Sequence, residues 1–233
     1  MIDLSYYQNA YYINVERDEK VEKLILQYGK RKELAAKEFL VWAGKKVSTI
    51  NYLLSGQLVH YGVNDQGDEK VGYINNPGSF TNELIFLVHS GSLIPKRFVV
   101  AKQNSEVCVI DKACFEILRQ NTECESYLLQ SLYQKYRILR EEVDSFAFNS
   151  AQQRLLNLFT ASIDEKNLQE GEVWLPLYLS YTQQEMAAII GVHRVSVARI
   201  INNLCNAGII RTVNHKMEIN IQFYLQNQQR RRE

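Results

Sequence analysis

The chain has 233 residues, 46% of them hydrophobic and 23% charged, which is typical of a globular protein with one large domain or two modest ones. The formal net charge is +1, so any contact with nucleic acid must come from a local patch rather than from a general basic bias. No run of 18 apolar residues occurs and the N-terminus lacks a signal-peptide pattern, so we expect a cytoplasmic protein with no membrane partner.

Residues 18–30 have the pattern of a short helix, and the region from Glu38 to Asp111 has the pattern of successive strands. Short apolar or alternating runs are separated there by glycines, and the tetrapeptide Asp65-Gln66-Gly67-Asp68 is typical of a hairpin turn. Many short strands at such spacing favour a small β-barrel or sandwich.

From Asp111 the apolar period changes from 2 to 3.6, which predicts a short helix and then a long one over 123–148. Six apolar residues of the long helix recur at spacings of 3, 4, 3, 4 and 3, which is an a/d heptad seam. A helix packed on its own barrel is one interpretation, but its position between two compact domains favours pairing with its twin in a parallel homodimer. The predicted dimer-interface residues are Leu129, Leu132, Tyr136, Leu139, Val143 and Phe146.

The stretch 182–210 carries the most specific motif of the chain. Thr182 can cap a helix, Glu185 completes a capping box, and Gly191 permits a tight turn before a second helix that Gly208 ends. Helix, glycine turn and helix form a helix-turn-helix, whose second helix enters the major groove of DNA. The run after it predicts a two-stranded wing with its turn at Asn214-His215.

An ordinary α-hairpin is the alternative interpretation of the same stretch. Cations and short polar side chains at the start of the second helix favour DNA binding, because they suit base edges and phosphates. The predicted DNA-binding residues are Thr182, Gln183, Gln184, His193, Arg194, Val195, Ser196 and Arg199.

Together with the strand-rich region and the long helix, this motif resembles the CRP/FNR family of transcription regulators over roughly residues 20–222. SAQQRL at 150–155 is similar to the motif that opens the DNA-binding domain of FNR-type members, and GVHRVSV at 191–197 is similar to CprK-type halorespiration regulators. The resemblance implies an α+β fold with a cyclic-nucleotide-binding-like (cupin-like) β-barrel over 1–122, a dimerisation helix over 123–148 and a winged helix-turn-helix over 149–233. It also implies effector-controlled transcription, with double-stranded promoter DNA, RNA polymerase and a small effector as partners.

The sensor region departs from the family's best-known pattern. By resemblance, cyclic-AMP receptors carry a phosphate-binding Gly-Glu and later an Arg-Ser pair. Here the first pair corresponds to Asn82-Glu83 and the second falls near Pro95-Lys96, so we do not expect a cyclic nucleotide to bind. Residues 1–107 contain no cysteine for an iron–sulfur cluster, and we expect His60 and His89 to be surface groups rather than haem ligands.

The heptad numbering places Lys135 at a g position and Arg140 at an e position, where a parallel dimer would bring them together and a bound anion would relieve their repulsion. The resemblance indicates the same place, between barrel and helix, and aligns Lys135 with a lysine that CprK-type sensors offer to a phenolic ligand. We therefore expect a small anionic effector, preferably aromatic, with Tyr133 as a further aromatic wall. The alternative is a regulator of the same fold that responds to redox state, temperature or a protein partner. The predicted effector-binding residues are Lys135, Tyr136, Tyr73, Asn82, Glu83 and Arg140.

Neither the cysteines nor the histidines form a pattern that is typical of metal binding or catalysis. Cys108, Cys114, Cys124 and Cys205 lie far apart without a C-x-x-C motif, so we expect reduced structural thiols and no metal or other cofactor. The four histidines do not cluster with carboxylates, and we therefore do not expect an enzyme.

Val195 predicts the base composition of the DNA site. By resemblance, the cyclic-AMP receptor has a glutamate at this position, which accepts a hydrogen bond from a cytosine amino group. Valine packs instead on a thymine methyl, and a cytosine amino group facing it would cost about 1–3 kcal/mol. We expect an A·T-rich inverted repeat of the TTAA type with half-sites about one helical turn apart.

Overall fold

The computed structural model describes residues 11–88, 92–163, 173–177, 181–214 and 216–230. Two compact units divide the chain, residues 11–142 in one and residues 143–233 in the other, so the division falls inside the long helix. Within the described ranges, no helix is both long enough and apolar enough to cross a bilayer.

The first unit is a β-barrel built from two sheets of short strands. The sheet orders are β1-β6-β5-β8-β3 and β2-β9-β4-β7, and paired strands are antiparallel except for β1 and β6. The strands are β1 (Tyr12–Ile13), β2 (Lys30–Leu34), β3 (Phe39–Val41), β4 (Ile50–Ser55), β5 (Leu58–Val63), β6 (Glu69–Asn75), β7 (Phe80–Thr81), β8 (Phe98–Ala101) and β9 (Ser105–Ile110).

Helices accompany the barrel strands and close its core. The predicted N-terminal helix is confirmed as α1 (Glu19–Tyr28), whose first turn is capped by the Asp18 carboxylate. Two short helices, α2 (Leu84–Leu87) and α3 (Lys112–Leu118), precede the long helix. α1 and α3 both contribute buried side chains to the core cluster that also contains Tyr52 of β4.

The predicted turn at 65–68 is confirmed and joins β5 to β6. The Asn64 side chain accepts hydrogen bonds from the backbone N–H groups of Gln66 and Asp68, at 3.0 and 2.8 Å. Gly67 has a φ of 85°, a left-handed conformation that favours glycine. This pairing places β5 and β6 side by side, so that His60 lies directly opposite Tyr73.

Two strands of the barrel, β1 and β2, lie before the region in which strands were predicted. β1 has only two residues, and β2 has the sequence KRKEL with four of its five residues exposed. β2 lies at the edge of its sheet, where charged side chains discourage pairing with other chains. A strand of this kind lacks the apolar alternation by which strands are recognised.

The long helix is confirmed as α4 (Thr122–Phe148), and the second unit begins within it at Val143. A three-stranded sheet of order β10-β12-β11 packs with the helices of this unit. The elements are α5 (Ala151–Thr160), β10 (Trp174–Pro176), α6 (Gln183–Ile190), α7 (Arg194–Asn206), β11 (Ile210–Val213), β12 (Lys216–Asn220) and α8 (Ile221–Arg230).

The helix-turn-helix and its wing are confirmed. Glu185 N–H donates to the Thr182 hydroxyl at 3.2 Å while Thr182 N–H donates to the Glu185 carboxylate at 2.7 Å, which is the predicted capping box. Gly191 ends α6 with a φ of 68°. β11 and β12 form the wing; of its predicted turn residues, His215 lies outside the described residues. Barrel, long helix and winged helix-turn-helix confirm the predicted α+β architecture.

Candidate functional site

One face of α4 packs on the barrel, and it is not the predicted seam. Three polar contacts tie this face to β7 and to the turn before it. Tyr127 donates its hydroxyl to the Gly78 carbonyl at 2.8 Å, Phe80 N–H donates to the Ser131 hydroxyl at 3.2 Å, and Lys135 Nζ donates to the Phe80 carbonyl at 2.7 Å. The barrel-facing residues recur at spacings of 4, 3, 4, 3 and 4, which are the c and g positions of the heptad: Cys124, Leu128, Ser131, Lys135, Ile138 and Glu142.

Lys135 and Glu83 form a buried ion pair. Lys135 is 7% exposed and Glu83 is 2% exposed. Burial lowers the pKa of Lys135, while the neighbouring Glu83 carboxylate opposes that shift. The structure therefore corrects the heptad argument, because Lys135 points into the barrel and already has a carboxylate partner, whereas Arg140 is exposed. The predicted repulsion between Lys135 and the partner's Arg140 does not arise in this arrangement.

The segment that carries Glu83 has an unusual backbone conformation. Asn82 has a φ of 64°, in the left-handed region where glycine is favoured and asparagine is tolerated. Its side-chain nitrogen is buried and has no hydrogen-bond partner among the described residues. A buried amide donor of this kind is available to a ligand or a water molecule.

His60 and Tyr73 stack beside the ion pair. Their ring centroids lie 4.2 Å apart, and Lys135 Nζ lies 5.7 Å from the Tyr73 ring centroid. The prediction that His60 is a surface group was wrong: it is 5% exposed, because it shares the inward face of β5 with Leu58. Its Nε2 atom has no hydrogen-bond partner within the described part of the chain.

The electrostatic surroundings keep His60 neutral. Burial lowers the pKa of His60 well below its usual range, and the positive charges of Lys135 and Arg97 add to this effect. The Asn75 amide opposes the shift, although its side-chain oxygen has no described hydrogen-bond partner. Burial likewise raises the pKa of Tyr73, so both rings are uncharged near neutral pH.

Arg97 lies beside these rings and was not among the predicted effector-binding residues. A methyl group at Gly72 of β6 would come within 2.8 Å of a terminal nitrogen of Arg97, so this guanidinium lies against the strand that carries Tyr73. Arg97 directly follows Pro95-Lys96, where the resemblance placed the lost phosphate-binding pair. The sequence signal for it is therefore an arginine directly after that pair.

Four of the six predicted effector residues come together in the barrel: Lys135, Tyr73, Asn82 and Glu83. The other two, Tyr136 and Arg140, are exposed on α4, as is the additional wall residue Tyr133. We name the group formed by His60, Tyr73, Asn82, Glu83, Arg97 and Lys135 the barrel cluster.

The predicted seam of α4 forms an exposed apolar stripe. Leu129, Tyr136, Leu139, Val143 and Phe146 are between 42% and 67% exposed, and Leu132 is half-buried. α4 does pack on the barrel of its own chain, but it does so through the c/g face and leaves the seam exposed. A contiguous exposed stripe of large apolar residues is typical of a surface that another protein covers.

The predicted DNA-binding residues cluster at the N-terminal ends of α6 and α7. Arg194, Val195 and Arg199 are exposed at the start of α7, while Val197, Ile201 and Leu204 anchor its other side in the core. Thr182 and Gln184 are exposed at the start of α6, Gln183 and Ser196 are half-buried, and His193 is the N-cap of α7. Two arginines beside a helix N-terminus create a local positive field for phosphates, which the net charge of +1 does not reveal.

The cysteines of the barrel are buried, which makes their thiols unreactive. Cys108, Cys114 and Cys124 are buried in one core cluster, and burial raises the pKa of Cys114 to about 11. Because a thiolate is the reactive form, protonated and inaccessible thiols act as small core residues.

Comparison with known proteins identifies two domains. Residues 31–122 match the cyclic nucleotide-binding domain, and residues 153–222 match the Crp-like helix-turn-helix domain. The cAMP-activated global transcriptional regulator Vfr of Pseudomonas aeruginosa is 24% identical over 84% of this chain and 91% of its own length.

Solved structures show the same fold at lower identity. The c-di-GMP-responsive global regulator CLP of Xanthomonas campestris superposes with a TM-score of 0.74 at 16% identity, over 87% of this chain and 99% of that chain. CprK in its OCPA complex superposes with a TM-score of 0.68 at 18% identity, over 87% of this chain and 90% of that chain.

Proposed function

Since the chain belongs to the CRP/FNR family of DNA-binding transcription regulators and carries a ligand-binding domain, we propose that it acts as a homodimer gated by a small anionic effector. In this proposal residues 1–122 sense the effector, 123–148 pair the two subunits, and 149–233 bind an A·T-rich palindromic promoter site. RNA polymerase is then the partner recruited or excluded at that promoter.

The barrel cluster is the observation that carries the proposal. Among the described residues of this cluster, Lys135 and Glu83 bring one buried charge of each sign, and the exposed Arg97 adds a second positive charge at its edge. The neutral His60 ring and the Asn82 amide each hold a buried polar atom without a partner. A monoanion would balance the charge, and its remaining polar atoms would satisfy the two unpartnered groups.

The same cluster favours an aromatic effector. The His60 and Tyr73 rings form a stacked wall next to Lys135, against which a planar ligand would pack. CprK, one of the structures with this fold, is known as an OCPA complex. This fold likeness, the recognition-helix resemblance and the lysine at position 135 support an aromatic acid or phenolate of the kind bound by CprK-type sensors.

An anion that enters the cluster must compete with Glu83 for Lys135. Since Lys135 also holds the Phe80 carbonyl, any change in its partners acts directly on the contact between β7 and α4. Effector binding would therefore change how α4 lies on the barrel, and α4 carries the proposed dimer seam. This gives the effector a physical route to the dimer, because it binds differently to the two arrangements of the helix.

The internal ion pair also supports the second candidate, a regulator of the same fold without a small ligand. Lys135 and Glu83 satisfy each other in the structure, so the cluster's charges do not require an anion to be stable. In that case redox state, temperature or a protein partner would control DNA binding.

A thermal-shift screen of the full-length protein separates these candidates. Small carboxylates and phenols form one arm, and cyclic AMP and c-di-GMP form the other. A ligand that binds only the folded state raises the melting temperature. The proposal expects a shift with aromatic acids or phenolates that is weakened by Lys135→Met. Tight binding of a cyclic nucleotide would contradict the effector class, and no response in either arm would favour the ligand-free candidate.

A further inference from the structure

Arg154 of α5 contacts the ends of two other helices. Its Nε atom donates to the Ile190 carbonyl at 2.9 Å, where α6 ends, and one terminal nitrogen donates to the Asn149 carbonyl at 2.8 Å, just after α4 ends. Its guanidinium carbon lies 4.6 Å from the centroid of the Phe146 ring. We propose that Arg154 is the positioning residue that couples the dimer-facing end of α4 to the DNA-reading helices.

The two carbonyls are well suited to such a role. Carbonyls in the last turn of a helix lack an intrahelical N–H partner and carry the negative end of the helix dipole. A guanidinium has its donors in a fixed fork, so the two acceptors hold it in one orientation. Arg154 is half-buried, which strengthens these hydrogen bonds relative to those of a solvated side chain.

The Ile190 carbonyl lies at the pivot of the helix-turn-helix. Gly191 follows immediately with its left-handed φ of 68°, and α7 begins three residues later at Arg194. A small displacement of the end of α6 is therefore passed to the helix that carries Arg194, Val195 and Arg199. Arg154 fixes that end relative to α4 through one rigid group.

Phe146 connects Arg154 to the seam. It is the last residue of the a/d pattern and is 43% exposed, so it is available to a second subunit on one side while the guanidinium covers part of its ring. Repacking of the seam around Phe146 would move the surface on which Arg154 rests. This step depends on the proposed homodimer.

Three variants of the full-length protein test the coupling: Arg154→Met, Arg154→Lys and, as a control on the same helix, the exposed Gln152→Met. Sedimentation and thermal melting establish the dimer and the fold of each. Fluorescence anisotropy then gives affinity for a selected palindrome and for random DNA. A spin label at Asn203→Cys in a Cys205→Ser background reports the distance between the two α7 helices by pulsed electron resonance.

We expect Arg154→Met to weaken binding to the palindrome by about tenfold and to leave binding to random DNA nearly unchanged. The distance distribution between the labels should broaden, because the reading helices lose their fixed orientation. Arg154→Lys should recover part of both effects, since an ammonium group can serve one carbonyl but not hold the fork. A merely structural residue would lower the melting temperature without broadening the distribution in folded protein.

A folded, dimeric Arg154→Met protein with wild-type affinity and a narrow distribution would overturn the proposal, as would an equal loss in Gln152→Met. If Arg154→Met does not fold, the palindrome affinities of Phe146→Leu, Arg154→Lys and the double variant are compared instead. If the two residues are coupled, the double variant should lose no more affinity than the more impaired of its two single variants. Losses that add would contradict coupling. A monomeric wild-type protein would instead contradict the proposed homodimer. The role of Arg154 would then be tested separately, by comparing the affinities of the wild type and of Arg154→Met for a single half-site.

Discussion

Glu83 and Lys135 neutralise each other in a part of the barrel from which water is almost wholly excluded. Glu83→Gln keeps the shape but leaves the Lys135 charge without its carboxylate, and breaking a buried pair in this way costs about 3 kcal/mol of unfolding free energy. Urea unfolding followed by circular dichroism measures the loss. The matched control is Glu116→Gln, which removes the partner of Arg119 in an exposed pair 3.7 Å apart and should cost less than about 1 kcal/mol. Equal losses of unfolding free energy in the two variants would show that the buried pair contributes no more to stability than the exposed pair.

His60 makes the stability of the barrel sensitive to mild acid. Its pKa in the folded state lies well below the value of about 6.5 in the unfolded chain, so the unfolded state binds the extra proton as the pH falls. Its contribution to stability is complete above about pH 6.5 and is lost below it. Between about pH 7.5 and about pH 5.5 the wild type should therefore lose about 1.4 kcal/mol more than His60→Leu. Urea titrations at the two pH values measure this difference, and identical pH dependence of the two proteins would rule out a buried neutral His60.

Val195 is 69% exposed at the start of α7, where an apolar side chain has no packing role in its own domain. Val195→Glu adds a carboxylate that accepts a hydrogen bond from cytosine, so the preferred step should change from A·T to C·G. Val195→Thr keeps a methyl group for thymine and should preserve the A·T preference. Selection of binding sites from random DNA measures both variants. A wild-type protein that already requires C·G at this step would refute the proposed reading of the helix.

At the scale of elements, α4 presents two neighbouring stripes with different chemistry. The a/d stripe consists of apolar residues that are mostly exposed, whereas the c/g stripe binds the barrel through a hydroxyl, an ammonium and a carboxylate. The helix therefore has a second surface to bury after it has packed on its own barrel, which is what the proposed dimer needs.

Leu139→Lys tests that second surface. A lysine at a central d position places two like charges together in a parallel pair, so the protein should become monomeric by sedimentation. Its affinity for a palindromic site should fall by at least about 100-fold, because two linked half-site contacts become one. Gln130→Lys, which adds the same charge at an exposed position off the seam, should remain dimeric. A Leu139→Lys protein that stays dimeric would place the interface elsewhere.

The elements differ in how well the sequence pattern predicts them. The a/d stripe and the helix-turn-helix follow from apolar spacing and capping residues, both of which depend on local chemistry. The c/g stripe does not, because Ser131, Lys135 and Glu142 pack through partners that lie far away in the sequence. His60 is an intermediate case. The alternation of β5 predicts that its side chain points into the barrel, whereas its polar character predicts an exposed position.

At the scale of the whole molecule, the proposed effector would alter DNA affinity through barrel residues that lie outside the helix-turn-helix and outside the a/d seam. Lys135→Met should abolish the effector's influence on DNA affinity, so that the affinity is the same with and without the ligand. Arg140→Met, which removes an exposed cation one turn further along α4, should retain the response. DNA affinity measured with and without a ligand from the thermal-shift screen distinguishes them. An effect of Arg140→Met alone would move the effector to the dimer side of the helix.

The two stripes of α4 also determine how this regulator can be recombined with its relatives. A sensor barrel transplanted into another regulator of this fold needs its own c/g residues, since Ser131, Lys135 and Glu142 bind polar groups of this barrel. The a/d residues of the same helix must instead match the recipient's pairing helix. A functional hybrid therefore has no single crossover point within α4. Its helix must take the c/g residues from the protein that donates the barrel and the a/d residues from the recipient.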